Sequence, residues 1–245
     1  MRYLILSDIH GNREALEAVA AHARGAYDAA LCCGDLVGYG ADPNATIEWV
    51  RANVGVVVRG NHDKVCSGLV DREWFNPVAR QAAEWTEHAL TPANLEYLRN
   101  LPKGPAMVDS FQILHGSPLD EDDYLVTSFE VTQIQSYLER QVSFFGHSHV
   151  QGGFVCRWNG VRRIGGPWLH EETVLELDAE AWYLINPGSV GQPRDGDPRA
   201  AYLLYDSEAR AVEYRRVEYN VGEAQRKIRA AGLPEILALR LQTGD

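Results

Sequence analysis

The chain has 245 residues, 45% of them hydrophobic, enough to bury a sizeable core, and a formal charge of −11 that weighs against a protein built to grip nucleic acid backbones. Its four cysteines (Cys32, Cys33, Cys66 and Cys156) form no C-x-x-C pair, and two are adjacent in an apolar run, so they read as buried thiols and not as a disulfide framework. No segment reaches the roughly 18 apolar residues of a membrane span, and the first apolar run is too short for a signal peptide core, so a cytoplasmic enzyme is expected.

Tyr3 to Leu6 reads as a buried strand, followed by a helix capped at Asn12 that carries Leu16, Val19, Ala20 and Ala23 on one face. Ala29–Cys33 is a second apolar strand. Pro43 opens a helix running to about Ala52, and Val54–Val58 is a third strand. Strands alternating with helices imply βαβ units and a largely parallel start to a sheet. Between residues 72 and 101 two helices are predicted, entered through Asn76-Pro77 and Thr91-Pro92. A strand or hairpin spans Ala106–Leu114. Thr127 and Glu130 form a capping box for a helix that turns Val131, Ile134 and Leu138 inward, and Val142–Phe145 is a short strand.

The last third is mostly β. Phe154–Trp158 and Val161–Ile164 flank Asn159-Gly160, a hairpin signal. Further strands are expected at Thr173–Leu177, Trp182–Ile185, Ala201–Tyr205 and Ala211–Tyr219, pairing antiparallel into a second sheet, with a terminal helical pair around Gly232-Leu233-Pro234. The fold class is thus α/β (α+β): one domain over 1–245, two stacked sheets with helices outside, and a helical insert at about 64–103 placed to cap whatever the sheets present.

Each of five consecutive strand ends delivers residues able to bind a hard or borderline divalent cation: Asp8-x-His10, Gly34-Asp35, Gly60-Asn61-His62-Asp63, His115-Gly116 and Gly146-His147-x-His149. Ligands of open α/β sheets gather beyond the carboxyl ends of the strands, so motifs distant in sequence converge on one rim. Singly each motif is weak; five in order, each closing an apolar run, point to a metal centre. Glycine beside nearly every ligand suits a chain that turns sharply there.

These motifs resemble the ordered signature of the calcineurin-like metallophosphoesterase superfamily: D-x-H, G-D-x-x-G, G-N-H-[DE], an isolated His, and G-H-x-H. The loop from Asn186 to Arg194 resembles one in the bacterial phosphodiesterase-like branch. The resemblance implies a two-sheet αββα sandwich and a hydrolase of phosphodiester, phosphomonoester or nucleotide polyphosphate bonds. It assigns one ion to Asp8, His10, Asp35 and His149, and a second to Asp35, Asn61, His115 and His147. Both would be divalent transition metals, manganese first, with iron, zinc or nickel as alternatives. Two such ions acidify a shared water and stabilise the entering and leaving oxygens of an in-line displacement.

His62, beside the ligand Asn61, is the expected proton donor to the leaving oxygen, with Asp63 expected to orient its imidazole. The arginine that follows the second motif in phosphoprotein phosphatases is absent, since Val37-Gly38-Tyr39-Gly40 stands there; Arg194 is the candidate to hold a phosphate oxygen. Trp74, Phe75 and Trp85 of the insert read first as packing residues and second as platforms for a base. A small phosphate ester or nucleotide is the expected partner. A protein phosphatase, a non-catalytic scaffold such as the retromer subunit of this fold, and a DNA nuclease are the competing readings.

Overall fold

A computed structural model describes residues 1–165 and 173–245. The first strand, β1 (Arg2–Leu6), sets the layering through its alternation. Tyr3 and Ile5 enter one apolar cluster and Leu4 and Leu6 another, because successive side chains of a strand leave on opposite faces. With both faces buried, this strand lies inside a sandwich.

Helix α1 (Arg13–His22) starts where Asn12 accepts the Ala15 amide, and it buries Ala15, Leu16 and Val19. It leads into β2 (Ala29–Cys32), α2 (Pro43–Asn53) and the two-residue β3 (Val56–Val57). Then come α3 (Asn61–Cys66), α4 (Pro77–Ala89) and α5 (Pro92–Arg99), the last two capped by Asn76 and Thr91 as the sequence predicts. The hairpin of β4 (Ala106–Val108) and β5 (Phe111–Ile113) precedes α6 (Ser128–Ile134), whose capping box is closed by Glu130 accepting the Thr127 amide at 2.6 Å. The remaining elements are a 3-10 turn (Gln135–Tyr137), β6 (Val142–Phe144), β7 (Gly152–Arg157), β8 (Gly160–Ile164), β9 (Val174–Glu176), β10 (Trp182–Asn186), β11 (Ala200–Asp206), β12 (Ala211–Val217), α7 (Val221–Ala230) and α8 (Glu235–Thr243).

The first sheet runs β3-β2-β1-β11-β12-β9 and the second β4-β5-β6-β10-β7-β8. This corrects the expectation that the strands of the last third form the second sheet together. β11, β12 and β9 complete the first sheet instead, because β1 is parallel to β2 on one edge and takes β11 antiparallel on the other, with Tyr3 opposite Tyr205. The second sheet is built on β5, β6 and β10, which run parallel. Both sheets therefore contribute parallel strands whose carboxyl ends lie at the same rim.

Between the sheets, Tyr3, Phe111, Phe144 and Tyr205 form an aromatic knot with ring separations of 4.9–6.4 Å. Each such pair adds about 0.5–1.5 kcal/mol beyond its buried area. The outer face of the first sheet packs on α1, α2 and α5 through Leu16, Ile47 and Leu98 among others. That of the second packs on α6 through Val131 and Ile134.

The insert helices are part of this outer layer. α4 gives Ala79 and Ala82 to a cluster with Ile228 and Leu237 of the terminal pair α7–α8, and Trp85 packs on the same cluster. From the 64–103 segment, Trp74, Phe75, Asn76 and Ala79 line a cleft beside the rim. No helix among the described residues is long and apolar enough to cross a membrane.

Candidate metal centre

At the rim, Asp8, His10, Asp35 and His149 bring ligand atoms within 4.8 Å of one another, and Asp35, His115 and His147 do the same. Asp35 belongs to both sets. Its Oδ1 accepts the His62 amide at 2.8 Å, at the start of α3. Its Oδ2 is buried without a hydrogen-bond partner, 3.6 Å from His10 Nε2 and 3.4 Å from His115 Nε2. Asn61 Oδ1 stands 3.2 Å from His115 Nε2 on the side of the second set, and His149 Nε2 stands 3.3 Å from Asp8 Oδ1 on the side of the first.

Three of the imidazoles are held from behind. Nδ1 of His10 faces the Val37 carbonyl at 3.0 Å, that of His115 the Cys33 carbonyl at 2.7 Å, and that of His149 the Gln192 carbonyl at 2.6 Å. A carbonyl accepts only, so the proton sits on Nδ1 and the Nε2 lone pair points into the cluster, the tautomer a cation needs. His147 Nε2 is buried and unpaired. An unpaired buried carboxylate oxygen and an unpaired buried imidazole nitrogen each cost free energy unless something meets them. Hard oxygen and borderline nitrogen donors in this mixture suit divalent transition metals, so the residues present fit two ions.

Electrostatics agree with that donor set. Burial pushes His10 and His149 below the usual imidazole range, His147 down to about 3 and His62 down to about 4, so all four favour the neutral form. Asp35 is held well below the usual carboxylate range despite burial, chiefly by His115. Burial also pulls on His115, but the Asp35 and Asp8 carboxylates outweigh it and push its pKa up to about 10. A cation between Asp35 and Asp8 would take over the balancing of these carboxylates and leave the His115 Nε2 lone pair free as a ligand.

The backbone at the rim is bent to make this set. Among the described residues seven non-glycine residues have positive φ, and five of them are Asp8, His10, Asp35, His147 and His149. Asp and His tolerate that region better than most side chains, yet at a cost. Gly11 and Gly34, beside His10 and Asp35, take positive φ as expected of them, whereas Gly60 and Gly146 answer a different need. A Cβ on Gly60 would overlap the Asp35 carboxylate, and one on Gly146 would overlap the Ser7 hydroxyl and stand 2.8 Å from Asp8 Oδ2. Space, not backbone angle, demands glycine at these two positions.

Asp63 departs from its expected role. Its carboxylate accepts four backbone amides, those of Asp35 at 2.9 Å, Leu36 at 2.8 Å, Val37 at 3.3 Å and Gly60 at 3.1 Å, while His62 Nδ1 is buried without a partner. Asp63 therefore does not orient the His62 imidazole by hydrogen bonding. It lies on the first turn of α3, from which its side chain folds back onto the turn that carries Asp35. Burial and the Asp35 charge push it up to about 7, and a cation on Asp35 removes the second cause.

The His62 ring is held by rings instead: Tyr39 at 4.4 Å, Phe75 at 4.7 Å and His10 at 4.9 Å between centroids. Tyr124 lies 3.8 Å from His147 by the same measure. Tyr39 and Tyr124 carry no motif signal.

Arg194 is free of the acids that flank it in sequence. Asp195 pairs with Arg216 and Asp197 with Arg199, whereas the Arg194 guanidinium donates to Gln192 Oε1 at 3.0 Å, lies over the Tyr39 ring at 5.6 Å and leaves Nε unpaired. The loop before it braces the rim. Ser189 Oγ donates to the Asp8 carbonyl at 2.7 Å, and the Gly191 amide donates to the same carbonyl at 3.0 Å.

Comparison with known proteins agrees with this geometry. The family model of the calcineurin-like phosphoesterase superfamily domain matches residues 1–210. An uncharacterised protein of Methanocaldococcus jannaschii is 37% identical over 250 residues, covering 98% of this chain and 97% of its own. The crystal structure of a metallophosphoesterase from Sphaerobacter thermophilus superposes with a TM-score of 0.86 at 37% identity, covering 100% of this chain and 99% of that one. A hypothetical protein from Pyrococcus horikoshii OT3 shares the fold, with a TM-score of 0.77 at 19% identity over 100% of this chain and 98% of its own. With a match of that extent and a rim assembled from five strand ends of two sheets, the chain belongs to the calcineurin-like phosphoesterase superfamily.

Proposed function

We propose that the protein is a two-metal phosphoesterase that hydrolyses a small phosphate ester. The observation that carries this reading is Asp35 Oδ2, buried, unpaired and set between His10 and His115. Asp8, His10, Asp35 and His149 would hold one ion and Asp35, Asn61, His115 and His147 the other, manganese being our choice for a set of imidazoles, carboxylates and one amide oxygen. Bound there, the ions supply Lewis acidity toward the phosphoryl oxygens and an acidified water.

The chain's own residues do the rest. Arg194 offers Nε and its remaining N–H donors to a non-bridging phosphate oxygen, for which a planar guanidinium fork is suited. His62 gives its proton to the departing alkoxide. Burial lowers the pKa of the free ring, and the negative charge of a bound ester would act in the opposite direction. Tyr39 and Phe75 keep the imidazole in one orientation and shield it from water, while Asp63 fixes the turn bearing Asp35.

The test strips the protein of metal, reloads it with Mn²⁺, counts the ions per chain by mass spectrometry, and assays a panel of phosphomonoesters, phosphodiesters, cyclic nucleotides and dinucleoside polyphosphates. Two ions per chain and metal-dependent hydrolysis within the panel are expected. Fully loaded protein inert on every ester would overturn the reading.

A further inference from the structure

Beside the metal rim lies a cleft of about 180 Å³ whose floor is Asn61, His62 and His147. Its walls bring together Tyr39, Trp74, Phe75 and Tyr124, four aromatic side chains from three separate stretches of chain. Two of them do not serve the core: Trp74 is 61% exposed and Tyr124 52%. Leaving an indole in water forfeits the free energy its burial would bring.

Trp74 is nonetheless not loose. Its Nε1 donates to the Asp71 carbonyl at 2.9 Å, the Glu73 amide donates to Asp71 Oδ1 at 2.9 Å, and the Lys64 ammonium lies 5.6 Å from the ring centroid. Arg80 also donates to the Glu73 carbonyl, which ties the strap to the first turn of α4. An exposed ring held in a fixed pose is a platform. Asp122 adds the polar element. It lines the same cleft, its Oδ2 takes Lys64 Nζ at 2.6 Å, and its Oδ1 is buried with no partner. That oxygen is an acceptor waiting for a donor, and an apolar ligand alone would leave it unmet.

We infer that this cleft receives a nucleobase, so that the preferred substrates are nucleoside phosphates, with Trp74 as the stacking platform and Asp122 Oδ1 accepting an N–H of the base. The inference rests on the phosphoesterase reading for the reaction and adds the substrate class. A flat ring fits aromatic walls through stacking, which every base can supply. The exocyclic and ring N–H groups of bases supply the donor that Asp122 lacks. Arg194, over the Tyr39 ring, then lies at the phosphate end of the same ligand.

The experiment compares adenosine 5′-phosphate with ribose 5-phosphate on Mn²⁺-loaded protein. The two share their phosphate ester and primary alkoxide leaving group and differ by the base. The ratio of their kcat/KM values is expected to be about tenfold or more in favour of the nucleotide, the order that base stacking provides. That ratio should collapse in Trp74→Ala, mainly through KM, and recover in Trp74→Phe. A wild-type ratio near one, or a ratio that Trp74→Ala leaves unchanged, overturns the inference while the phosphoesterase reading stands. Calorimetric titration of adenosine 5′-phosphate into the same proteins separates the two claims. Weaker binding to Trp74→Ala without turnover of either ester supports the cleft and overturns the reaction. Equal binding by wild type and Trp74→Ala overturns the cleft.

Discussion

The metal rim and the cleft beside it are built on opposite principles. Every proposed ligand at the rim is buried, and most hang from turns at strand ends, held by backbone carbonyls and amides from both sheets. The cleft walls come from Tyr39, the stretch 74–76 and the loop carrying Asp122 and Tyr124, with half-exposed side chains and unfilled hydrogen-bonding atoms. On the proposed function, the chemistry common to all phosphate esters would be fixed in the scaffold, and what distinguishes one ester from another would be left to loops. Substitutions at the rim should therefore affect all substrates alike, and substitutions in the cleft should change their ranking.

The largest effect is expected at the shared carboxylate. Asp35→Asn should lower kcat/KM by about a thousandfold or more on every ester, since Lewis-acid stabilisation is worth several kcal/mol. Metal content measured on the same sample should fall below two ions per chain. His62→Ala comes next, with a loss in kcat of about 10²–10⁴-fold. Here the two ions should stay bound, and a variant that loses them would move His62 from proton transfer to metal binding.

Asp63→Ala tests the bracing of the Asp35 turn. Four amides lose their acceptor, so a lower Tm and about 10–100-fold weaker metal binding are expected, read by thermal unfolding and metal titration. An unaltered metal affinity would show that the turn holds itself. The smallest effect belongs to the loops: Arg194→Ala should raise KM about tenfold with a modest fall in kcat, and Arg194→Lys should recover only part of it. Equal effects on kcat for a charged ester and no change in KM would place Arg194 in the transition state instead.

Much of the rim was legible in the sequence, because a metal ligand at a strand end leaves a short motif after an apolar run, as Asp35 and His147 do. The role of Asp63 was not legible, since three of its four partners are backbone amides 26–28 residues away, which any side chains would provide. Helix α3 escaped notice for a related reason: six residues behind a glycine cap carry no amphipathic period. The short apolar run of β1 told that the strand is buried, but not that β11 instead of a neighbour in sequence would fill its open edge. The cleft was least legible. Trp74 and Phe75 could be read as packing residues or as platforms for a base, Tyr39 and Tyr124 carried no signal, and only the chain's path shows which of them face an opening.

The positive φ angles at Asp8, His10, Asp35, His147 and His149 have a consequence for the life of the protein in a cell. Conformations of this kind cost of order 1–3 kcal/mol each, and a ligand that binds only the folded form repays such costs. Chelation should therefore lower the Tm, and hydrogen exchange should rise first at these five turns while the middle of β1 stays protected; uniform loss of protection would contradict this. In a metal-starved cell the same turns would open first, and proteases would find them there. The abundance of the protein would then track the supply of its metal without any dedicated sensor.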